Sequence, residues 1–223
     1  MALGKGAAVA AASAEAPRDC PLCPRLVAYR QDNALAEPEW FNGAVASWGD
    51  PQARLLIVGL APGRTGANRT GRPFTGDYAG DLLYATLLKF GFATGSYGRS
   101  AEDGLRLTGA LITNAVRCAP PANKPTGPEI NACRPFLAAR IAALSGLAAI
   151  VTLGRIAHES TVRALGEPLR AHPFGHGVQS RIDGPAGPMT LAPSYHCSRY
   201  NTNTGRLTPA MFEAVFAALP QPD

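Results

Sequence analysis

Short, continuously apolar runs alternate with amphipathic stretches along this chain, and this alternation sets the expected order of its elements. The apolar runs are RLLIVGL at 54–60, ALITNAV at 110–116, AAIVTLG at 148–154 and PMTLAPS at 188–194. Because each run is aliphatic or β-branched with no polar alternation, each predicts a strand that is buried on both faces. We therefore expect four strands in the centre of one sheet.

The stretches between these runs have the spacing of helices with one apolar face. After Asp77, apolar positions recur at helical spacing as far as Phe90, and Gly91 is placed to end the helix. Further helices are predicted from Pro128 onward, over RIAHESTVRALG and over PAMFEAVFAAL. This order of strands and helices predicts an α/β fold, a three-layer α/β/α sandwich with a central four-stranded, mainly parallel sheet.

The composition is that of an ordinary soluble domain. Of the 223 residues 46% are hydrophobic, and no apolar run approaches the ~20 residues that a membrane span needs. The alanine-rich start at 1–19 is too weakly basic and apolar for a secretory signal, so we interpret it as a disordered leader before a single domain at 20–223. The expected state is a cytoplasmic monomer without membrane contact.

The charge balance is basic, with 21 Lys and Arg against 16 Asp and Glu and a formal net charge of +5. Such an excess favours a polyanionic partner such as nucleic acid, but it also occurs on unremarkable protein surfaces. Charge alone therefore does not identify the partner.

Four of the five cysteines form two pairs, Cys20 with Cys23 in CPLC and, much later, Cys118 with Cys133. Two disulfides are disfavoured because a CxxC pair is too close for an unstrained bridge and nothing indicates secretion. The pairs instead predict a site with four thiolate ligands, for zinc or an iron–sulfur cluster. The wide second pair does not fit a zinc ribbon. Cys197 stands apart, and we interpret it as a small buried residue.

The glycine-rich segment GLAPGRTGANRTGRPFTGD at 59–77 follows the first predicted strand, where parallel sheets bind ligands. It lacks the lysine and hydroxyl of a P-loop, and Pro62 removes a backbone N–H that a dinucleotide fingerprint needs. A nucleotide-binding or transferase domain held by a metal is therefore a weaker alternative. Two more polar segments, TNAVRCAPP and SYHCSRYNTNTGR, follow other predicted strands and are expected at the same edge of the sheet.

Taken together, these segments resemble the type-5 branch of the uracil-DNA glycosylase superfamily. The matching motifs are GLAPG, GRPFTGD, TNAVRCAPP and PSYHCSRYNTNTGRLT, in the order and context of that family, over about 20–219. The resemblance implies a monofunctional DNA repair enzyme, associated with the nucleoid through DNA, that flips out a deaminated base and hydrolyses its N-glycosidic bond. It also implies a [4Fe-4S] cluster, and the implied ligands are Cys20, Cys23, Cys118 and Cys133.

The resemblance also implies roles in a base pocket. Phe74 is expected to stack on the flipped base, Asn114 to read its polar edge as both donor and acceptor, and His196 to donate a hydrogen bond as negative charge develops on the base. The expected pocket wall is the GLAPG loop: Gly59, Leu60, Ala61, Pro62 and Gly63. The other histidines are interpreted as packing or loop residues: His158, His172 and His176.

The GLAPG loop departs from better known branches of the superfamily. Positions that carry Asp, Asn or Glu there are Leu60 and Ala61 here, and neither can activate water. Asp77 is the nearest acidic candidate, and three roles stay open for it: water activation, stabilisation of the sugar cation, or helix capping. Gly63 stands where strict uracil enzymes have a bulky tyrosine, which implies activity on hypoxanthine and ethenocytosine as well. A nonhydrolytic protein that binds damaged DNA is the alternative that Leu60 and Ala61 motivate.

Contact with DNA is predicted for polar and basic side chains around this site. Arg199 or Tyr200 is expected to wedge into the stack where the base has left. The candidate phosphate contacts are Ser194, Ser198, Asn201, Arg206 and Arg69.

Overall fold

A six-stranded sheet lies in the middle of the computed structural model, which describes residues 13–220. The strands of the described chain are β1 (Trp48–Gly49), β2 (Leu55–Gly59), β3 (Ala93–Thr94), β4 (Arg106–Leu107), β5 (Ala110–Asn114), β6 (Ala149–Leu153), β7 (Ser180–Gly184) and β8 (Gly187–Ser194). The central sheet has the order β1-β5-β2-β6-β8-β7, while β3 and β4 form a separate antiparallel pair.

The four predicted strands are the four central ones, and they are parallel to each other. In register, Ile57 of β2 lies between Ile112 of β5 and Val151 of β6. On its other side, β6 pairs in parallel with β8. The mainly parallel sheet is thus confirmed, but the predicted count of four was too low. The edge strands β1 and β7 are antiparallel and have no continuous apolar run, because each has a face that is partly exposed.

Helices cover both faces of this sheet. They are α1 (Pro24–Ala36), α2 (Ala67–Thr70), α3 (Tyr78–Lys89), α4 (Gly127–Ala142), α5 (Arg155–Ala164), α6 (Arg199–Asn203) and α7 (Pro209–Ala217). The sequence sets some of their ends directly. Thr126 and Glu129 form a capping box at the start of α4, and the Thr208 hydroxyl accepts a hydrogen bond from the Met211 N–H at the start of α7.

The core has one layer on each side of the sheet. On one side α3 and α7 pack on β2, β5 and β6, and on the other side α4 and α5 do so. Alternate residues of β2 serve the two layers, since Ile57 belongs to the first and Leu56 and Val58 to the second. The three-layer α/β/α sandwich is therefore confirmed. Within residues 13–220, no helix has both the length and the hydropathy that crossing a membrane would require.

Part of the predicted leader is packed against the domain. Glu15 accepts hydrogen bonds from Arg117 at 2.9 Å and from Arg140 at 2.5 Å, and Ala16 is buried. These contacts connect positions that are distant in sequence, so the local composition of the leader gave no sign of them. Residues 13–19 thus belong with the fold, whereas residues 1–12 of the predicted leader lie outside the described residues.

Candidate active site

A pocket of about 340 Å³ opens at the carboxyl edge of the sheet, where three loops meet. The loops follow β2, β5 and β8, as expected for a parallel sheet whose strands all end on the same side. The lining residues are Leu60, Ala61, Pro62, Gly63, Ala67, Phe74, Asp77, Tyr78, Ala79, Asn114, Asn123, His196, Ser198 and Arg199. The structure therefore brings together most of the residues that the motifs singled out.

The GLAPG loop forms one wall of the pocket and continues the pairing of β2 with β5. The Ala115 N–H donates to the Gly59 carbonyl, and the Val116 N–H donates to the Leu60 carbonyl, both at 2.9 Å. Gly59 packs directly against the Asn114 side chain, and a Cβ atom at this position would overlap with it. Glycine at this position therefore lets the GLAPG loop and the Asn114 side chain approach each other closely.

Phe74 and His196 lie face to face in this pocket. Their ring centroids are 5.9 Å apart and their planes are inclined by 26°. Phe74 is 7% exposed, and its backbone has a left-handed φ of 53°. The pair comes from two different motifs, and its planar faces suit a heteroaromatic ligand.

Asn114 ends β5 with its side chain directed at the pocket. The residue is buried, and its Oδ1 atom accepts no hydrogen bond from any residue that the structure describes. An unpaired buried acceptor is unfavourable unless a partner arrives from outside the chain. This unpaired acceptor lies next to Gly59, at the edge of the pocket that Asn114 lines.

Asp77 lies at the N-cap position of α3, but its side chain makes no capping hydrogen bond. The Oδ1 atom is buried and unpaired among the described residues. Burial raises the pKa of this carboxyl above its ordinary value, and the nearby backbone N–H groups of Gly80 and Ala79 offset the rise only in part. Water activation, stabilisation of the sugar cation and helix capping are all compatible with this placement.

Two glycines leave room for the Asp77 carboxylate. A Cβ atom at Gly66 would overlap with Oδ2 and would lie 2.9 Å from Cγ, and one at Gly63 would lie 3.0 Å from Oδ2. Gly63 therefore has a second effect besides leaving the wall open, since a large side chain there would also press on this carboxylate.

His196 follows β8 and is partly exposed to the pocket. Burial lowers the pKa of its imidazole to about 4, so the ring is neutral near pH 7. Among the described residues no side chain or backbone group is hydrogen-bonded to the ring, while the Asn201 side chain holds the His196 carbonyl at 2.8 Å. The imidazole N–H is therefore available to a ligand.

Sequence reasoning missed several residues of the pocket rim. Tyr78 is 36% exposed, and the Arg199 guanidinium lies 5.3 Å from the centre of its ring. Asn123 reaches the pocket from the segment PPANKPT, where its φ of 56° follows a φ of 53° at Ala122. Asparagine tolerates the left-handed region well, so Pro-Pro-Ala-Asn was a turn signal that could have drawn attention to this residue.

The predicted DNA contacts are distributed unevenly. Ser198 and Arg199 line the pocket, and Tyr200 is 72% exposed beside them. Arg69 and Arg206 do not line it: the Arg69 side chain reaches the Gly76 carbonyl, and Arg206 lies over the Tyr195 ring at 4.6 Å. For these residues, contact with DNA stays a prediction.

Ser194 requires a correction. It is fully buried, and its hydroxyl donates to the Tyr195 carbonyl at 2.9 Å and lies 3.3 Å from His176 Nδ1. The last residue of a central strand is covered by the elements beside it, so Ser194 does not face a surface where phosphate could bind. His176 also accepts a hydrogen bond from the Tyr195 N–H at 3.1 Å and thus supports the loop next to His196.

The four paired cysteines line one small apolar cavity, together with Ala16 and Leu26 among others. All are free thiols, and burial raises the pKa of Cys118 to about 11 and that of Cys133 to about 12. Two donors reach the sulfurs: the Arg117 N–H lies 3.3 Å from Cys133 Sγ, and an Arg30 guanidinium nitrogen lies 3.6 Å from Cys118 Sγ.

The cavity between these cysteines has a volume of about 10 Å³. Within residues 13–220, no three His, Cys, Asp or Glu side chains are grouped so that they could hold one ion. A single zinc ion would need all four sulfurs about 2.3 Å from one point. Four Cys thiolates are a ligand set that both zinc and an iron–sulfur cluster accept. Cys197 lies apart, fully buried, with its Sγ 3.4 Å from the Ala79 carbonyl.

Comparison with known proteins gives a consistent result. Residues 46–220 match the family model of the uracil DNA glycosylase superfamily. The chain is 47% identical over 199 residues to the type-5 uracil-DNA glycosylase of Thermus thermophilus, covering 86% of this chain and 89% of that protein. Proteins of the same name in Mycobacterium bovis and Pyrobaculum aerophilum are 43% and 40% identical over 205 and 194 residues, covering 88% and 85% of this chain and 75% and 83% of theirs.

Proposed function

Since the chain belongs to the uracil DNA glycosylase superfamily, we propose that it excises uracil from DNA by hydrolysing the N-glycosidic bond, which leaves an abasic site. One observation carries this proposal. A single pocket holds an aromatic face, an unpaired amide oxygen, a neutral imidazole and an unpaired carboxylate oxygen, from Phe74, Asn114, His196 and Asp77. A reaction that binds a planar base and breaks its bond to a sugar needs such a set.

Recognition of the base falls to Phe74 and Asn114. Rotation of a base out of the duplex costs a few kcal/mol, and this cost is lowest for a mispaired base such as uracil opposite guanine. Stacking on Phe74 offsets part of it. Uracil presents one N–H donor between two carbonyl oxygens, so the unpaired Asn114 Oδ1 atom accepts from that N–H while the amide NH₂ donates to a carbonyl.

Departure of the base falls to His196. As the glycosidic bond breaks, negative charge gathers on the uracil carbonyl oxygens, and a fixed donor stabilises it. A neutral imidazole provides one N–H without a competing partner, which agrees with the free ring and the pKa of about 4. His196 therefore acts as a hydrogen-bond donor to the leaving base, and no proton needs to be transferred.

Asp77 acts on the sugar side of the reaction. Leu60 and Ala61 offer no polar atom, so the Asp77 carboxylate is the nearest group that can orient water or stabilise positive charge on the sugar. The buried Oδ1 atom of Asp77 has no hydrogen-bond partner among the described residues, which is unfavourable for stability alone and supports such a role.

We further propose that the enzyme accepts larger deaminated or modified bases, including hypoxanthine and ethenocytosine. Gly63 contributes no side chain to the wall, and the pocket of about 340 Å³ is within the range of small-molecule sites. A thymine mismatch tests the gap in the pocket wall at Gly63 directly. Thymine carries a 5-methyl group, which a closed wall would exclude.

We also propose that Cys20, Cys23, Cys118 and Cys133 hold a [4Fe-4S] cluster. The four free thiols around one small cavity support this assignment. The cluster would supply a cross-link between the N-terminal segment and the segment after β5, with no part in the hydrolysis. We expect the protein to act as a monomer on cytoplasmic, nucleoid DNA.

The decisive experiment uses a labelled duplex with one uracil opposite guanine, followed by hot alkali to cleave abasic sites. Strand cleavage that requires both the protein and the uracil is the expected result. Duplexes with hypoxanthine, xanthine, ethenocytosine or a thymine mismatch then measure the range of bases. No cleavage at any excess of protein, with selective binding of the damaged duplex, would instead identify a nonhydrolytic damage-binding protein, the alternative that the apolar Leu60 and Ala61 favour.

A further inference from the structure

The backbone of Phe74 is held in an unfavourable conformation. Its φ of 53° lies in the left-handed region, which bulky side chains avoid. Such strain persists only where the surrounding structure holds the backbone in place, and it is often found at ligand sites. The contacts around Phe74 must therefore hold its backbone in this conformation.

Tyr97 provides the most direct of these contacts. Its hydroxyl donates a hydrogen bond to the Phe74 carbonyl at 3.1 Å, and the Gly76 N–H interacts with the same phenol oxygen. Burial raises the pKa of Tyr97 to about 12, so the hydroxyl stays protonated and able to donate at physiological pH. The phenol thus holds the turn that contains Phe74 through the Phe74 carbonyl.

The Tyr97 ring is itself fixed by its neighbours. It packs against the Tyr84 ring at 4.6 Å, and the Arg72 guanidinium lies within 5.9 Å of its centre. Arg72 forms a buried ion pair with Asp103 at 2.7 Å, and the Asp103 carboxylate also accepts from the Gly98 N–H at 2.8 Å. The tyrosine therefore has little freedom to move away from Phe74.

Helix α3 closes the remaining space around this hydrogen bond. A Cβ atom at Gly80 would overlap with both the Phe74 carbonyl and the Tyr97 hydroxyl. The glycine lets the helix approach so closely that no other donor has room to replace the phenol. The hydroxyl and the carbonyl thus form a closed, specific contact between the loop after β3 and the wall of the pocket.

We propose that Tyr97 is a positioning residue, whose hydroxyl holds the Phe74 carbonyl and thereby presents the Phe74 ring to the flipped base. This inference rests on the proposed function, because it assumes that Phe74 stacks on a base. Tyr97 does not line the pocket, and its role is indirect: it fixes the backbone of the residue that does.

The test is Tyr97→Phe, which removes one oxygen atom and keeps the ring. Stacking on Phe74 stabilises the bound base before and during bond cleavage alike, so a less well placed ring weakens binding more than it slows the bond-breaking step. We expect KM for a uracil duplex to rise about five- to tenfold, the loss of one net hydrogen bond, with kcat nearly unchanged. Tyr29→Phe, in α1 and outside the pocket, is the matched control and should leave both constants unaltered.

A double substitution separates positioning from a general effect on the fold. With Phe74→Ala in place, Tyr97→Phe should have no further effect on KM, because there is no ring left to position. An unchanged KM in the single variant, or an equal rise in the Phe74→Ala background, would overturn the inference. If the unsubstituted protein cleaves the uracil duplex and only the Tyr97 result fails, the proposed function stands; if it does not cleave, the proposed function has failed first.

Discussion

The ring centres of Phe74 and His196 lie 5.9 Å apart across the pocket, with their planes inclined by 26°. A base inserted between two rings needs about 7 Å, twice the contact distance of carbon atoms. Under the proposed function, the flipped base therefore stacks on Phe74 without entering between the two rings, and His196 meets it at an edge. This arrangement assigns stacking to one residue and hydrogen bonding to the other, and it makes the roles of the pocket residues separable by mutation.

The charge of Asp77 is the first feature to test. Asp77→Asn keeps the shape and the capping ability of the side chain but removes the carboxylate, so kcat should fall by about 10² to 10⁴. Binding of abasic DNA should persist, and the melting temperature should change little, because asparagine can still interact with the Gly80 and Ala79 N–H groups. Single-turnover cleavage and thermal unfolding measure the two effects. Full activity in Asp77→Asn would exclude any catalytic role for this carboxylate.

Gly66 tests the placement of the same group. In Gly66→Ala the new methyl group overlaps with Asp77 Oδ2, so the carboxylate must shift. We expect a drop in kcat of the same order as in Asp77→Asn, and little additional loss when the two substitutions are combined.

The matched control for this experiment is Gly146→Ala, since a Cβ atom there meets no other atom within 4 Å. Its kcat should equal that of the unsubstituted enzyme. Additive losses in the Gly66→Ala, Asp77→Asn double variant would mean that Gly66 acts through something other than the carboxylate.

Asn114 should distinguish bases by their polar edges. Asn114→Ala removes the unpaired Oδ1 acceptor and the NH₂ donor, and two hydrogen bonds lost should lower kcat/KM for uracil by about 10- to 100-fold. The thermal stability should stay the same or increase, because Oδ1 has no partner among the described residues. A loss of stability without a loss of kcat/KM would show that the amide is structural.

The dependence of kcat on pH should come from Asp77 and not from His196. Burial raises the pKa of Asp77, so its charge is lost as pH falls through a value above the ordinary 3.9 or so of an aspartate. The imidazole of His196 stays neutral until pH falls to about 4. We therefore expect kcat to decline on the acid side with a midpoint above that of a free carboxyl.

The variant Asp77→Asn should lose this acidic decline while His196→Gln should keep it, and rates at constant ionic strength over the acid range provide the comparison. The pKa of His196 also affects stability. Because it is lower in the folded than in the unfolded chain, its contribution is present above the unfolded value of about 6.5 and lost as pH falls toward 4. An acidic decline that survives in Asp77→Asn would assign it to another group.

The cluster can be tested without any activity measurement. The purified protein should contain iron and acid-labile sulfide in equal amounts and no zinc, and Cys118→Ala should lose both together with thermal stability. Cys197→Ala is the matched control, since this thiol is also buried but lies outside the cavity. Colourless protein with bound zinc would contradict the assignment.

The sequence determined the elements whose signals are local. Continuous apolar runs identified β2, β5, β6 and β8, and Pro128 and Thr208 with Pro209 indicated the starts of two helices. The motifs located Phe74, Asn114 and His196, because residues at the carboxyl ends of parallel strands must meet at one edge.

Only the tertiary structure decided the contacts between segments that are distant along the chain. It brought Glu15 to Arg117, buried Ser194, and left the Asp77 Oδ1 atom without a partner among the described residues. It also brought Tyr97, which belongs to none of the motifs, to the Phe74 carbonyl. Such features depend on which side chains meet after folding, and a backbone held against its own preference, as at Phe74, has no signal in the local sequence. The sequence thus determined which chemistry the pocket contains, and the fold decided how each group is held for it.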